Sequence, residues 1–262
     1  MAQLVSGIQF TGSIGNLSAY RMKGSDKIVL RTKGGPSKKA ISTAKQFDTT
    51  RRNNSEFSRR AKASAIILGA MQPLRRLADH KISAPLNALL KQIQTLDTTS
   101  AFGERDIFLS RRPTLLEGFS FNRVSPFDST LMATVRVDVQ FSANSVSVVL
   151  PEIVPGTNFL PSNRYPYCRF VVTAACLPDL VWTDLGYRAN VAMATGSVEW
   201  KPVRADSPKQ TIELSYVHGA ADVNQTLVVC IGLQYGVVSP FGEIVPVNYG
   251  CAKVLVAMVV GK

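Results

Sequence analysis

The sequence predicts an α+β protein: an N-terminal three-stranded β-unit and helical hairpin, followed by an antiparallel β-sandwich, Ig-like or jelly-roll-like. Three observations lead there. Long amphipathic segments are confined to residues 43–96, short alternating runs punctuated by Gly, Pro, Asn and Asp fill residues 115–259, and charge is divided between the same two parts. The hydrophobic fraction, 45% of 262 residues, can supply a sizeable core, and the charged fraction of 18% argues against global disorder. Residues 1–112 hold 20 Lys and Arg against 7 Asp and Glu, and residues 113–262 hold 10 against 11. The charge therefore steps from +13 to −1 near Pro113, which with the change of periodicity divides a basic region, 1–112, from a β domain, 113–262.

Val5 to Thr11 alternates and then meets Gly12-Ser13-Ile14-Gly15-Asn16, a turn signal. Leu17 to Met22 forms the next run, Lys23 to Asp26 turns it, and Lys27-Ile28-Val29-Leu30-Arg31 returns. In this last strand Lys27, Val29 and Arg31 share one face and Ile28 and Leu30 the other, so the pleat separates charge from core. Gly12-x-x-Gly15 has the spacing of the RNA-clamping loop of KH modules, but that loop joins helices, so here it reads as a turn. Lys33-Gly34-Gly35-Pro36-Ser37-Lys38-Lys39 is a basic connector without the glycine frame of a phosphate loop.

A long helix follows over Thr43–Arg76, with Thr43 and Gln46 spaced as a capping box. Phe57, Ala61, Ser64, Leu68 and Met71 recur at helical steps and predict the buried stripe. Lys45, Arg52 and Arg59 recur every seven residues on the exposed side, with Arg51 and Lys62 on another row and Arg60 between. Together with Lys38 and Lys39 these six are the candidate polyanion- or partner-binding residues. Gly69 and Pro73 predict an end or kink near Ala70–Gln72, with Leu74–Asp79 as a short continuation. Pro85 opens a second helix whose Leu86, Leu89, Leu90, Ile93 and Leu96 form an apolar stripe for packing on the first. His80 between the helices reads as a surface or capping residue, having no second ligand at metal spacing. Residues 97–114 make a polar link.

From Leu115 onward candidate strands are 115–123, 131–141, 145–150, 167–176, 186–194, 196–201, 209–217, 225–235 and 244–259. Val135, Val137 and Val139 alternate with polar residues as a half-exposed strand should, whereas Leu227–Leu233 and Val254–Val260 are apolar on both faces and belong centrally. Trp182 and Trp200 read as packing residues. Cys168, Cys176, Cys230 and Cys251 lie in strand-like runs without Cys-x-x-Cys spacing, so free buried thiols are expected. With no basic and apolar leader at the N-terminus, and Val254–Val260 far short of the roughly 20 residues of a membrane span, a cytoplasmic protein with no membrane contact is expected.

Hydrolase, kinase, dinucleotide and zinc signatures are absent from the sequence, and its two histidines, His80 and His218, fall in different regions. The expectation is no enzyme, no cofactor, no metal and no small-molecule substrate. Phe10-Thr-Gly-x-Ile14-Gly-Asn-x-x-x-Tyr20, Arg31-x-Lys-Gly-Gly-x-Ser37, Phe47-x-x-Thr-Arg51-x-Asn-x-x-Glu56-Phe57 and Leu115-Leu-Glu-Gly-Phe119-x-Phe121-Asn122 occur in that order. This series resembles an uncharacterised, domain-of-unknown-function family of small basic proteins common in Bacteroidota. The resemblance implies family membership and no catalytic residues. From the residues themselves, the expected function is a structural or assembly protein, a homo-oligomer or partner of another protein, whose basic half docks on an acidic surface. The alternative is sequence-independent binding of nucleic acid through phosphate contacts. That alternative is weakened because residues 23–76 hold only two aromatics for base stacking, Phe47 and Phe57.

Overall fold

Four short strands open the chain in the computed structural model, which describes residues 2–4, 10–22, 26–187, 189, 191–217 and 224–260. They are β1 (Ala2–Leu4), β2 (Gly12–Ile14), β3 (Leu17–Arg21) and β4 (Ile28–Thr32), in one antiparallel sheet of order β1-β4-β3-β2. Ile14 pairs with Leu17 across a two-residue hairpin loop, and Gly15 takes the positive φ (+54°) that its first central position requires. Three strands were expected and four are present; of the run expected at Val5–Thr11, Val5–Gln9 lie outside the described residues, as do Lys23–Ser25 of the second turn. The expected separation of charge from core across β4 does not hold: Ile28 and Val29 are both buried, although Val29 shares a face with Arg31.

Ser37 caps α1 (Lys38–Thr43), its Oγ accepting from the Ala40 amide at 3.1 Å. Ala44 is extended, and a 3-10 turn at Lys45–Phe47 then leads into α2 (Asp48–Ala70). The capping box expected at Thr43 is not formed, because Thr43 ends α1 and donates its hydroxyl to the Lys39 carbonyl. Arg51 holds the bend instead: its Nη1 donates to the carbonyls of Ile41 and Ala44, both at 2.9 Å, satisfying acceptors that the end of α1 leaves over. Residues Met1–Asn54 form one compact unit and Ser55–Lys262 a second, the division falling within α2.

In the larger unit α2 stops at Ala70, where Pro73 cannot continue its hydrogen-bond ladder, and a 3-10 turn at Leu74–Leu77 leads to α3 (Ser83–Thr95). Past the 3-10 turns Leu109–Arg111 and Pro113–Leu116 come α4 (Phe127–Thr130), β5 (Arg136–Gln140), β6 (Ser145–Leu150), β7 (Tyr167–Pro178), β8 (Trp182–Thr183) and β9 (Gly186–Tyr187). After them stand β10 (Met193–Ser197), β11 (Lys201–Pro202), β12 (Gln210–Ser215), β13 (Gln225–Val238) and β14 (Ile244–Val259). One antiparallel sheet has the order β10-β7-β13-β14 with β11 also on β7; a second has the order β12-β6-β5; β8 and β9 form a hairpin. The strand expected at 196–201 is split between β10 and β11, and that expected at 186–194 between β9 and β10.

The larger sheet is buried on both faces, which is why β7 and β13 read as continuous apolar runs. Val171, Ala175 and Leu177 of β7 face a core shared with Ala63, Ile67 and Leu68 of α2 and Leu86, Leu90 and Ile93 of α3. Phe170, Val172, Ala174 and Cys176 face a second core shared with Val146 and Val148 of β6 and Ile212 and Leu214 of β12. On β14 the alternation changes parity: Ala252 and Val254 face the helices, then Ala257 does. The cause is a bulge, since Val229 pairs with Val256 but Cys230 pairs with Val254, leaving Leu255 as the extra residue. All four cysteines are buried and free, burial pushing the thiols up to about 12 at Cys168 and about 11 at Cys176.

The segment 115–123, expected as a strand, is the 3-10 turn followed by an extended clasp on the outer edge of β14. Gly118 N and Phe121 N donate to the carbonyls of Val254 and Ala252, and Val254 N donates to Phe119. Asn122 completes it from its side chain, Oδ1 accepting from Ala252 N at 3.0 Å and Nδ2 donating to the carbonyls of Leu77 and Gly250. So β14, last in its sheet, is not an open edge. The boundary expected at Pro113 is no break in packing: Leu90, Ile107 and Leu109 before it line one core with Leu116, Val228 and Val254 after it. Among the described residues no helix is long and apolar enough to cross a membrane.

Candidate partner-binding surface

The basic residues singled out by the sequence divide between the two units. Residues 1–54 contain ten Lys and Arg against two Asp, a net +8. Lys38 and Lys39 are exposed on α1, and Lys45 on the 3-10 turn that precedes α2. Arg52 is exposed and pairs with Asp48 one turn back at 2.9 Å. Arg51 is half-buried and committed to the α1–α2 bend. On the strands, the guanidinium of Arg31 lies 5.4 Å from the Tyr20 ring centroid, and both residues are exposed.

In the larger unit the expected exposed cations are largely internal. Arg60 is 9% exposed and donates to Gln94 Oε1 at 2.6 Å, and Gln94 Nε2 donates to the Arg105 carbonyl. Arg59 donates to the Glu104 carbonyl and pairs with Asp106 at 3.3 Å. Glu56, 3% exposed, accepts two bonds from Arg105 and one from the Gly103 amide. Burial raises the proton affinity of Glu56, but these donors outweigh it and hold the carboxyl below its ordinary value. For Asp106 burial prevails over the Trp182 amide and Arg59, and its carboxyl is raised. Lys62 is exposed, its Nζ 4.3 Å from the centroid of the Trp182 ring, over which Arg59 also lies at 5.2 Å.

The seven-residue row is therefore not a row of exposed cations. Lys45 stands before α2 and Arg59 is spent on Asp106 and Glu104, so only Arg52 is an exposed α2 cation of the three. Of the eight candidates, Lys38, Lys39, Lys45, Arg52 and Lys62 remain exposed. No family model, curated protein or solved structure matches the chain.

Among the described residues no group of three or more His, Cys, Asp and Glu could hold a metal ion. A cavity beside Cys168, Arg169 and Ser207 has a volume of about 20 Å³, room for about one water. Sequence reasoning missed Gln94, Arg105, Asp106 and the pairing role of Glu56. One local signal was present: Glu56 is the only carboxylate between Asp48 and Asp79, and Arg60 follows it at helical i+4 spacing.

Proposed function

We propose that this protein is a non-enzymatic assembly component, whose antiparallel sheets form a sandwich, Ig-like or jelly-roll-like, used for contacts between protein chains. Its basic N-terminal unit docks on an acidic protein surface. The observation that carries this reading is the charge surplus of the smaller unit. Residues 1–54 carry +8, with Lys38, Lys39, Lys45 and Arg52 exposed, whereas the much longer 55–262 carries +4 and binds Arg59, Arg60 and Arg105 internally. A surface with that surplus attracts polyanions and steers association. Membership of the Bacteroidota family whose motifs the chain resembles belongs to the same proposal.

A second reading, sequence-independent nucleic-acid binding, is favoured by the exposed Tyr20–Arg31 pair on the N-terminal sheet, which offers a ring and a guanidinium side by side. The test is titration of the purified, nuclease-treated chain with random duplex DNA, single-stranded RNA and an acidic polypeptide over a salt series. Binding to the polypeptide with weak nucleic-acid affinity supports docking on protein. Sub-micromolar, salt-steep binding to nucleic acid replaces that reading with the second.

A further inference from the structure

The outer strand of the smaller sheet, β5, is paired with β6 on one side only. Among the described residues no hydrogen bond reaches residues 133–140 except through β6, and Arg136 and Asp138 have no ionic partner. Natural edges are commonly blunted by charged side chains, proline or a bulge. Arg136-Val137-Asp138-Val139-Gln140 has no proline and no bulge, its register with β6 runs without a shift, and its two charges are of opposite sign, so a second copy can pair with them rather than be repelled. On its inner face Ala133, Val135, Val137 and Val139 pack against the core yet stay only half-buried, so the apolar layer runs on to the open edge.

We infer that β5 is the surface through which two copies of this chain pair, edge to edge and antiparallel, with Val137 opposite Val137 of the second copy. Register is limited by the pleat, because only pairings that keep both inner faces on one side continue the apolar layer. Of three such registers centred on the strand, one sets Arg136 against Arg136 and another sets Asp138 against Asp138. The third sets Arg136 against Asp138 twice and Val135 against Val139 twice, and is the only one without like charges opposed. Of the other terminal strands in the larger unit, β10, Met193–Ser197, carries no charge and β12, Gln210–Ser215, only Glu213, so neither offers such complementarity.

This deepens the assembly reading and rests on it, naming the second copy as a partner and β5 as the contact. The test is sedimentation equilibrium of the full chain, with thermal melts as a control for folding. A reversible monomer–dimer equilibrium is expected. Asp138→Arg or Arg136→Asp alone opposes like charges at both pairs and weakens dimerisation about tenfold or more, while the double exchange restores it to within about threefold. Arg136 and Asp138 are exposed, so the melts should not move. A strictly monomeric chain overturns the proposal, as does self-association that the single exchanges leave unchanged or the double exchange fails to restore. Self-association insensitive to β5 leaves the assembly reading standing on another surface, which separates the two failures.

Discussion

Arg105 closes a two-bonded fork on Glu56, Nε to Oε1 at 2.6 Å and Nη2 to Oε2 at 2.8 Å, linking α2 to the loop that follows α3. With Glu56 only 3% exposed, removing its carboxylate leaves Arg105 and the Gly103 amide without their acceptor. Glu56→Ala should therefore cost about 3–5 kcal/mol in urea unfolding, and Glu56→Gln less, since its oxygen can still accept one bond. The pH dependence has a definite sign. The folded carboxyl lies below its ordinary value of 4.5, so its contribution is present above that value and is lost as pH falls through the folded one. The gap in stability between wild type and Glu56→Gln should narrow from about pH 6 to about pH 3. A gap that stays constant would mean the ionised form is not what the fork stabilises.

Phe57, one residue on, faces outward at 58% exposure, although its spacing with Ala61, Ser64 and Leu68 reads as the buried stripe. Its ring lies 5.8 Å from the Arg60 guanidinium. Phe57→Ala should change stability by less than about 1 kcal/mol, whereas Ile67→Ala, fully buried between α3 and the sheet, should cost about 2–5 kcal/mol. Equal losses in chemical denaturation would put Phe57 in the core after all.

Of the expected stripe Ser64, Leu68 and Met71 are buried and only its first residue, Phe57, faces outward. The side of α2 that faces inward is Glu56, Arg60, Ala63, Ser64, Ile67, Leu68 and Ala70, which begins with two charges and so does not read as apolar at that end. Their burial depends on Arg105 and Gln94, 49 and 34 residues away, partners that no local periodicity contains. Where burial is set by apolar alternation the reading was good: β6 and β14 lie within their expected bounds, and α2 ends where Gly69 and Pro73 place it. The 115–123 segment fell between the two cases. It is extended and meets β14, but Glu117 and Asn122 supply part of the bonding from their side chains, donor and acceptor groups that a strand pattern does not register. The candidate site suffered most, since exposure of Arg59 and Arg60 was inferred from helical spacing alone.

Two glycines should respond to alanine with opposite signs. Gly69 lies in the last turn of α2 with nothing within 4 Å of an added Cβ, so Gly69→Ala should stabilise by about 0.5–1 kcal/mol through reduced chain entropy in the unfolded state. At Gly250 the Cβ would stand 2.0 Å from the Leu233 carbonyl oxygen, backbone of the neighbouring β13. Gly250→Ala must therefore push the strands apart and should cost more than about 3 kcal/mol. Thermal melts of the two variants, read against wild type, decide both.

The final prediction separates cations that hold the fold from cations free to meet a partner. Lys38, Lys39, Lys45 and Arg52 are exposed, and among the described residues only Arg52 of the four has a carboxylate, Asp48, within pairing distance. Replacing all four by Gln should leave the melting temperature within about 2 °C, because exposed charges contribute little to stability. It should weaken binding to any polyanion and lower the slope of log K against log salt by roughly two to four units when that polyanion is nucleic acid. Arg59→Gln with Arg60→Gln should do the reverse. Those side chains are bound to Glu104, Asp106 and Gln94, so their loss should lower stability by several kcal/mol while the salt slope of polyanion binding stays unchanged. Both sets carry the same type of charge on neighbouring stretches of sequence, and a simple count of basic residues predicts the same response from each. If the pair of arginines alters the salt slope as strongly as the four exposed residues do, the assignment of Arg59 and Arg60 to the interior of the larger unit is wrong.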